Sequence, residues 1–235
     1  MTQMNLHSNQ VEIKLQNLVQ TKHLLAKAHS SLNWGFEKTA LQLCNSYLLF
    51  NPNHLEAKLL KAYCLLKNDE LKLAFQLFQK LYFFNPDSLP CLVGLAQFHL
   101  YNDNQDEAEP LLMKALSLGK DAYAKSEVIE LLAKMYKENG DLKLALRTIN
   151  EAIELLPFEH SSHYLHGTIL MELGSFNEAK RSFDISIQLN KDSAEAFRKR
   201  ANCWMMLNKI EYGLMDIKKA QKIELDRCKF LEAFE

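Results

Sequence analysis

A small residue returns at a fixed interval along almost the whole chain. Ala40, Ala74 and Ala108 are 34 positions apart, as are Ala145, Ala179 and Gly213, and only the step from 108 to 145 is longer, by three. A second series, Ala28, Ala62, Ala96, Ala133, Gly167 and Ala201, runs in the same register twelve positions earlier. Two interlocked series describe one helix pair copied six times, with small side chains where the paired helices cross closely. One such pair cannot bury its hydrophobic face alone, so the copies must stack on one another.

The composition suits that architecture. Hydrophobic residues make up 48% of the 235, and five prolines and seven glycines are few enough for a mostly helical chain. A formal net charge of −1 leaves no global basic field to draw in nucleic acid. Cys44, Cys64, Cys91, Cys203 and Cys228 are scattered and odd in number, which suits reduced thiols in a cytoplasmic protein better than a disulfide framework. The N-terminus lacks a positive stretch followed by an apolar run, so no secretory leader is expected. No window approaches the roughly 18 apolar residues of a membrane span, so no membrane insertion is expected.

Dividing at the small residues gives units at 21–54, 55–88, 89–122, 126–159, 160–193 and 194–227. Each reads as two helical stretches around a polar break, as at Lys67-Asn68-Asp69, Asn139-Gly140-Asp141 and Leu173-Gly174-Ser175. Gly or Asn in these breaks accepts the left-handed conformation that ends a helix, and the Asp or Ser that follows can cap the next one. Pro52, Pro86 and Pro157 stand where the second helix of a unit should stop. Residues 1–8 have no hydrophobic period and are expected to be disordered. Residues 9–20 extend the first helix: Asn9 and Glu12 form a capping box, and Val11, Leu15 and Leu18 begin its apolar stripe. The tail 228–235, with Phe230, Leu231 and Phe234, is short; it can fold back as a cap or pair with a second molecule as a weak homodimer.

These residues resemble the tetratricopeptide repeat. The fourth unit carries Leu132-Ala133, Tyr136, Gly140-Asp141, Ala145, Ile149, Ala152 and Pro157, and the fifth Gly167, Gly174, Phe176, Ala179 and Phe183, at the family's offsets. The resemblance covers 21–227. It implies an all-α, right-handed solenoid of stacked antiparallel helix pairs that binds other proteins. Departures gather at the third-to-fourth junction, where Pro110, Lys120 and the inserted Tyr123, Ala124 and Lys125 predict the weakest internal interface.

Chemistry finds little footing. His160, His163 and His166 have a spacing zinc sites use, yet His163 and His166 occupy positions held elsewhere by Leu92 and Leu95, or Ile129 and Leu132, and no further ligand is placed to complete a site. Cys44, Cys64 and Cys203 fall on core positions, where a thiol is unreactive. No phosphate-binding glycine loop is present. Neither an enzyme nor a cofactor is expected. Arg198, Lys199 and Arg200 with Lys218, Lys219 and Lys222 form the one basic concentration, but Glu195, Glu211, Asp216 and Glu224 interleave with it.

In the family the first helices line the concave side. That face carries Leu25 and His29 in the first unit, Leu59, Leu60, Tyr63 and Leu66 in the second, and Val93, Gln97 and Tyr101 in the third. The last three units present Glu130, Lys134, Tyr164, Thr168, Arg198, Lys199 and Asn202. The N-terminal half is thus apolar and aromatic, the other half polar. Repeats that grip a chaperone's C-terminal carboxylate use a lysine and asparagine, then an asparagine, then a lysine and arginine. Only Arg198 and Asn202 match, and Leu25, His29, Leu60, Pro90 and Gly94 stand at those places in the first three units, so that clamp is not expected. The expectation is a non-catalytic adaptor holding a partner peptide or helix in its groove. The alternative is a structural or regulatory subunit of a larger assembly, such as a secretion or pilus-assembly complex.

Overall fold

A computed structural model describes residues 23–232, which form twelve α-helices and no strand. The expected capping box at Asn9, the stripe from Val11 to Leu18 and the tail beyond Glu232 lie outside the described residues. The helices divide into two compact units between Asn104 and Gln105. The first holds α1 (residues 23–33), α2 (Glu37–Phe50), α3 (Leu55–Lys67), α4 (Leu71–Phe84) and α5 (Leu89–Tyr101). The second holds α6 (Gln105–Leu118), α7 (Ala122–Glu138), α8 (Leu142–Leu155), α9 (His160–Glu172), α10 (Phe176–Leu189), α11 (Ala194–Met206) and α12 (Ile210–Glu232).

Repetition is visible in the lengths. The first helices α3, α5, α9 and α11 are each 13 residues, and the second helices α2, α4, α6, α8 and α10 each 14. Within both units every helix packs on the next, and first helices also touch first helices: α3 on α5, α7 on α9, α9 on α11. All twelve small residues of the two sequence series are buried. Opposite them each of five second helices sets one fully buried larger side chain: Cys44, Phe78, Leu112, Ile149 and Phe183. Small and large residues compensate. At Gly167 a Cβ would lie 2.7 Å from Cε1 of Phe183, so glycine there is what lets the ring in.

The turns inside the helix pairs share one backbone device. Gly35, Asp69, Asp103, Gly140, Gly174 and Asn208, at one position of successive repeats, all have positive φ, between 56° and 84°. Two expectations fail here. Asp69 and Asp103 occupy the left-handed position themselves, while the Asn before each keeps negative φ. Asn102 instead turns its side-chain amide back onto the Phe98 carbonyl at 2.9 Å, closing the last turn of α5. Asp141 and Ser175 precede α8 and α10 without making a side-chain cap bond. Capping bonds come from His54, Asp121 and Ser193, before first helices.

The third-to-fourth junction is shaped by two local devices. Asp121 accepts from the Ala124 amide at 2.8 Å and starts α7 early, so the inserted residues add a turn, lengthening α7 to 17 residues. Pro110 sits inside α6 without ending it. The Tyr136 hydroxyl on α7 donates to Glu109 on α6 at 2.8 Å, tying the two helices together. The division between compact units falls instead inside the third repeat. At the other end the expected fold-back cap is replaced by continuation. Leu225 stands where other repeats have proline, nothing stops the helix, and α12 runs 23 residues to Glu232.

Gly140 has φ 84°, and a Cβ added to it would meet nothing within 4 Å, so this position separates conformation from packing. Gly140→Ala is expected to cost about 1–2 kcal/mol in urea unfolding, the penalty for a left-handed alanine. A loss below about 0.5 kcal/mol would contradict the assignment of the turn.

Candidate partner-binding surface

On the first unit's first-helix face, packing divides the expected groove residues into two sets. Leu59, Leu60, Leu66 and Val93 are buried, and the expectation that they face a partner is corrected. Because α3 packs directly on α5 as well as on α2 and α4, residues on the flanks of α3 are consumed by neighbouring helices. What stays reachable is narrower. His29, Tyr63 and Gln97 recur at one repeat position and are half-buried, as is Leu25, while Tyr101 near the end of α5 keeps 46% of its surface. His29 Nε2 lies 3.0 Å from Glu56 Oε1 on α3. Tyr63 rests edge-on against Phe78, centroids 5.2 Å apart, so its ring is anchored in the core and only part of it is presented.

The corresponding face of the second unit is charged and internally paired. Lys134 and Asn202 are exposed, and Lys134 lies 3.8 Å from Glu138. Thr168 is buried and bonds the Leu165 carbonyl at 2.7 Å. Tyr164 is half-buried with its ring 5.8 Å from that of Phe183, and burial raises its pKa. Glu130 accepts from Ser161 at 2.8 Å and from Ser162; burial, opposed by these two bonds, raises its pKa.

The two arginines of the basic concentration are tied into the fold. Arg198 grips Glu224 on α12 through two contacts of 2.5 and 2.6 Å. Arg200 bonds both oxygens of the buried Asp216 at 2.8 and 2.6 Å, and Asp184 on α10 at 2.8 Å. Lys180 completes the set, 2.6 Å from Asp184 and 4.7 Å from the centroid of Trp204. One guanidinium thus joins α10, α11 and α12. A fork satisfied on both sides offsets the desolvation of burying it. The sequence alone gives no sign of this network, because its partners are 16 residues away on other helices.

The three histidines are each engaged within the fold. His163 Nε2 meets the Pro157 carbonyl at 2.8 Å, His166 Nδ1 lies 2.8 Å from Ser182 Oγ, and His160 Nε2 lies 3.4 Å from the side-chain amide of Asn190. Among the described residues no group of three or more His, Cys, Asp or Glu is placed to hold a metal ion. Burial pushes Cys203 up to about 11 and raises Cys91. Cys64 is held far above the ordinary thiol range by its bond with Cys44 and by burial; Cys44, which gains from that bond, is lowered. No helix among the described residues is long and apolar enough to cross a membrane.

A further exposed surface was not expected. Leu49 and Phe50 at the end of α2, and Phe83 and Phe84 at the end of α4, occupy equivalent repeat positions and are largely exposed, Leu49 to 81% and Phe83 to 77%. Their periodicity belongs to the helix, but they lie beyond the last turn that a neighbouring helix covers.

Comparison with known proteins gives the class. Residues 160–193 match the tetratricopeptide repeat model, and residues 33–115 match that of anaphase-promoting complex, cyclosome, subunit 3. The rice (Oryza sativa subsp. japonica) DnaJ protein P58IPK homolog B is 24% identical over 92% of this chain and 49% of its own length; homolog A is also 24% identical. The chain therefore spans about half the length of the curated relatives it matches. A human IFIT1 dimer with PPP-AAAA superposes with a TM-score of 0.67 at 16% identity, over 86% of this chain and 49% of that one. A tetratricopeptide repeat protein from Parabacteroides merdae gives 0.57 at 14%, over 86% and 79%. The chain folds as an all-α tetratricopeptide-repeat array, and its fifth unit matches that family's model.

Titration of His166 offers a check on the packing of α9 against α10. Burial first, then the neighbouring His163, lowers its pKa below the ordinary 6.5, so the fold favours the neutral ring. Its contribution is complete above pH 6.5 and is lost as pH falls below that. Thermal unfolding of His166→Gln is expected to depend less on pH between 7.5 and 5.5 than that of the wild type. Identical slopes would place the ring in solvent.

Proposed function

We propose that this protein holds an extended or helical segment of a partner protein along the first-helix face of its N-terminal unit. The observation that carries the reading is the row of His29, Tyr63 and Gln97, one per repeat, with Tyr101 exposed beside them and the surrounding leucines withdrawn into the core. Such a row offers a partner a fixed register of ring and amide contacts at each repeat. Tyrosine supplies large, stiff contact area with a hydroxyl, at little cost in ordering. The paired charges of the second unit would tune specificity more than affinity.

A second reading has one observation in its favour. The match of residues 33–115 to a subunit of the anaphase-promoting complex suits a chain held permanently in a larger assembly. The two readings differ in recovery. Affinity capture followed by native mass spectrometry gives a fixed stoichiometry for a resident subunit and sub-stoichiometric clients for an adaptor.

With a captured partner in hand, Tyr101→Ala and His29→Ala should each weaken binding by about 1–3 kcal/mol and leave the melting temperature nearly unchanged. Tyr63→Ala should lower both, because its ring also packs on Phe78. Full affinity in the Tyr101 and His29 variants would move the site off this face.

A further inference from the structure

The outer face of the N-terminal unit carries a furrow that the proposed function does not use. Two open cavities of about 450 and 410 Å³ lie along α4 and share Leu77 and Lys80 in their walls, so they adjoin on that helix. Its floor is apolar: Leu41 of α2 and Leu65 of α3 at one end, Leu73 and Leu77 along α4, Leu81 and Phe84 at the other end. From Leu73 to Phe84 at 1.5 Å per residue, the furrow is about 16 Å long, three turns of a helix. Leu73 and Phe84, at its two ends, are exposed by half or more.

Its rim is predominantly basic. Lys61 and Lys80 border the first cavity and Lys58 and Lys80 the second, against a single carboxylate, Glu70. None of these three lysines pairs with a carboxylate among the described residues, in contrast to the paired Arg198 and Arg200 of the second unit. The backbone limits the occupant too. Amides and carbonyls inside α4 are taken up by its own helix, so the furrow has no row of backbone groups to hold an extended strand. A partner must satisfy its own backbone and bring an apolar stripe flanked by acidic residues.

We infer that the outer face of α4 is a docking furrow for an acidic amphipathic helix of a partner protein. Apolar residues spaced i, i+4 and i+7 on that helix lie between Leu73, Leu77 and Phe84, and its flanking carboxylates meet Lys58, Lys61 and Lys80. This surface is separate from the first-helix face, so Tyr101→Ala leaves it intact.

The test uses the whole chain and two labelled synthetic 16-residue helices with one leucine stripe, flanked by glutamate in one and by lysine in the other. Fluorescence anisotropy should show the acidic helix bound at least tenfold more tightly, with the advantage shrinking as salt rises. The Lys61→Glu/Lys80→Glu variant should reverse the preference, and Leu73→Ser should weaken both peptides, with circular dichroism confirming that each variant folds. Equal binding of the two helices, binding indifferent to these substitutions, or no binding at 0.5 mM peptide would overturn the inference. So would vesicles of phosphatidylserine and phosphatidylcholine that bind the chain and are not displaced by the acidic helix. A light-scattering mass of a dimer whose dissociation exposes the furrow would assign it to a second copy and overturn it as well.

Discussion

The close crossing of the two helices in each repeat, with a small residue on both sides, sets the terms for everything else in this chain. At each crossing an alanine or glycine is fully enclosed, which brings backbones near enough for a single large residue of the second helix to fill the space between pairs. Gly167 and Phe183 show how tightly the two are coupled, since even a methyl group would meet the ring. Once crossings are fixed, the helix lengths follow, and with them the turn position where the chain must go left-handed. That position is filled three times by glycine and otherwise by aspartate or asparagine, the residues that tolerate it.

The same closeness decides which side chains are left for a partner. First helices touch one another at α3–α5, α7–α9 and α9–α11, so residues on their flanks belong to the core. The two units use the remaining positions differently. In the first, rings and amides remain reachable; in the second, arginines and carboxylates neutralise each other across helices. A face that satisfies its own charges offers a partner less electrostatic attraction, which is the physical reason for placing the binding segment in the first unit.

Periodicity made the repeat, its small-residue crossings and the turns legible from sequence, because each depends on residue type at a fixed offset. What escaped depended on neighbours in space. Leu59, Leu60, Leu66 and Val93 look like groove residues on a single helix and become core only when neighbouring helices pack on it, as Leu60 does with Ala28, Ala40 and Cys44. Arg200 looks like part of a basic run until Asp184 and Asp216 arrive from two other helices. The inserted Tyr123–Lys125 stood out in the sequence, but the form they take, an added helical turn started by Asp121, needed the structure. The lack of an exit proline at Leu225 was visible, but its consequence, a second helix running on to Glu232, needed the structure.

Side-chain footprinting of the tyrosines, with and without a captured partner, tests the central assignment most directly. Tyr101, Tyr123 and Tyr212 are all substantially exposed and lie on α5, α7 and α12, so each reports on its own surface. The account predicts that a partner shields Tyr101 from labelling and leaves Tyr123 and Tyr212 as reactive as in the free chain. Shielding of Tyr212 or Tyr123 with Tyr101 unchanged would contradict it.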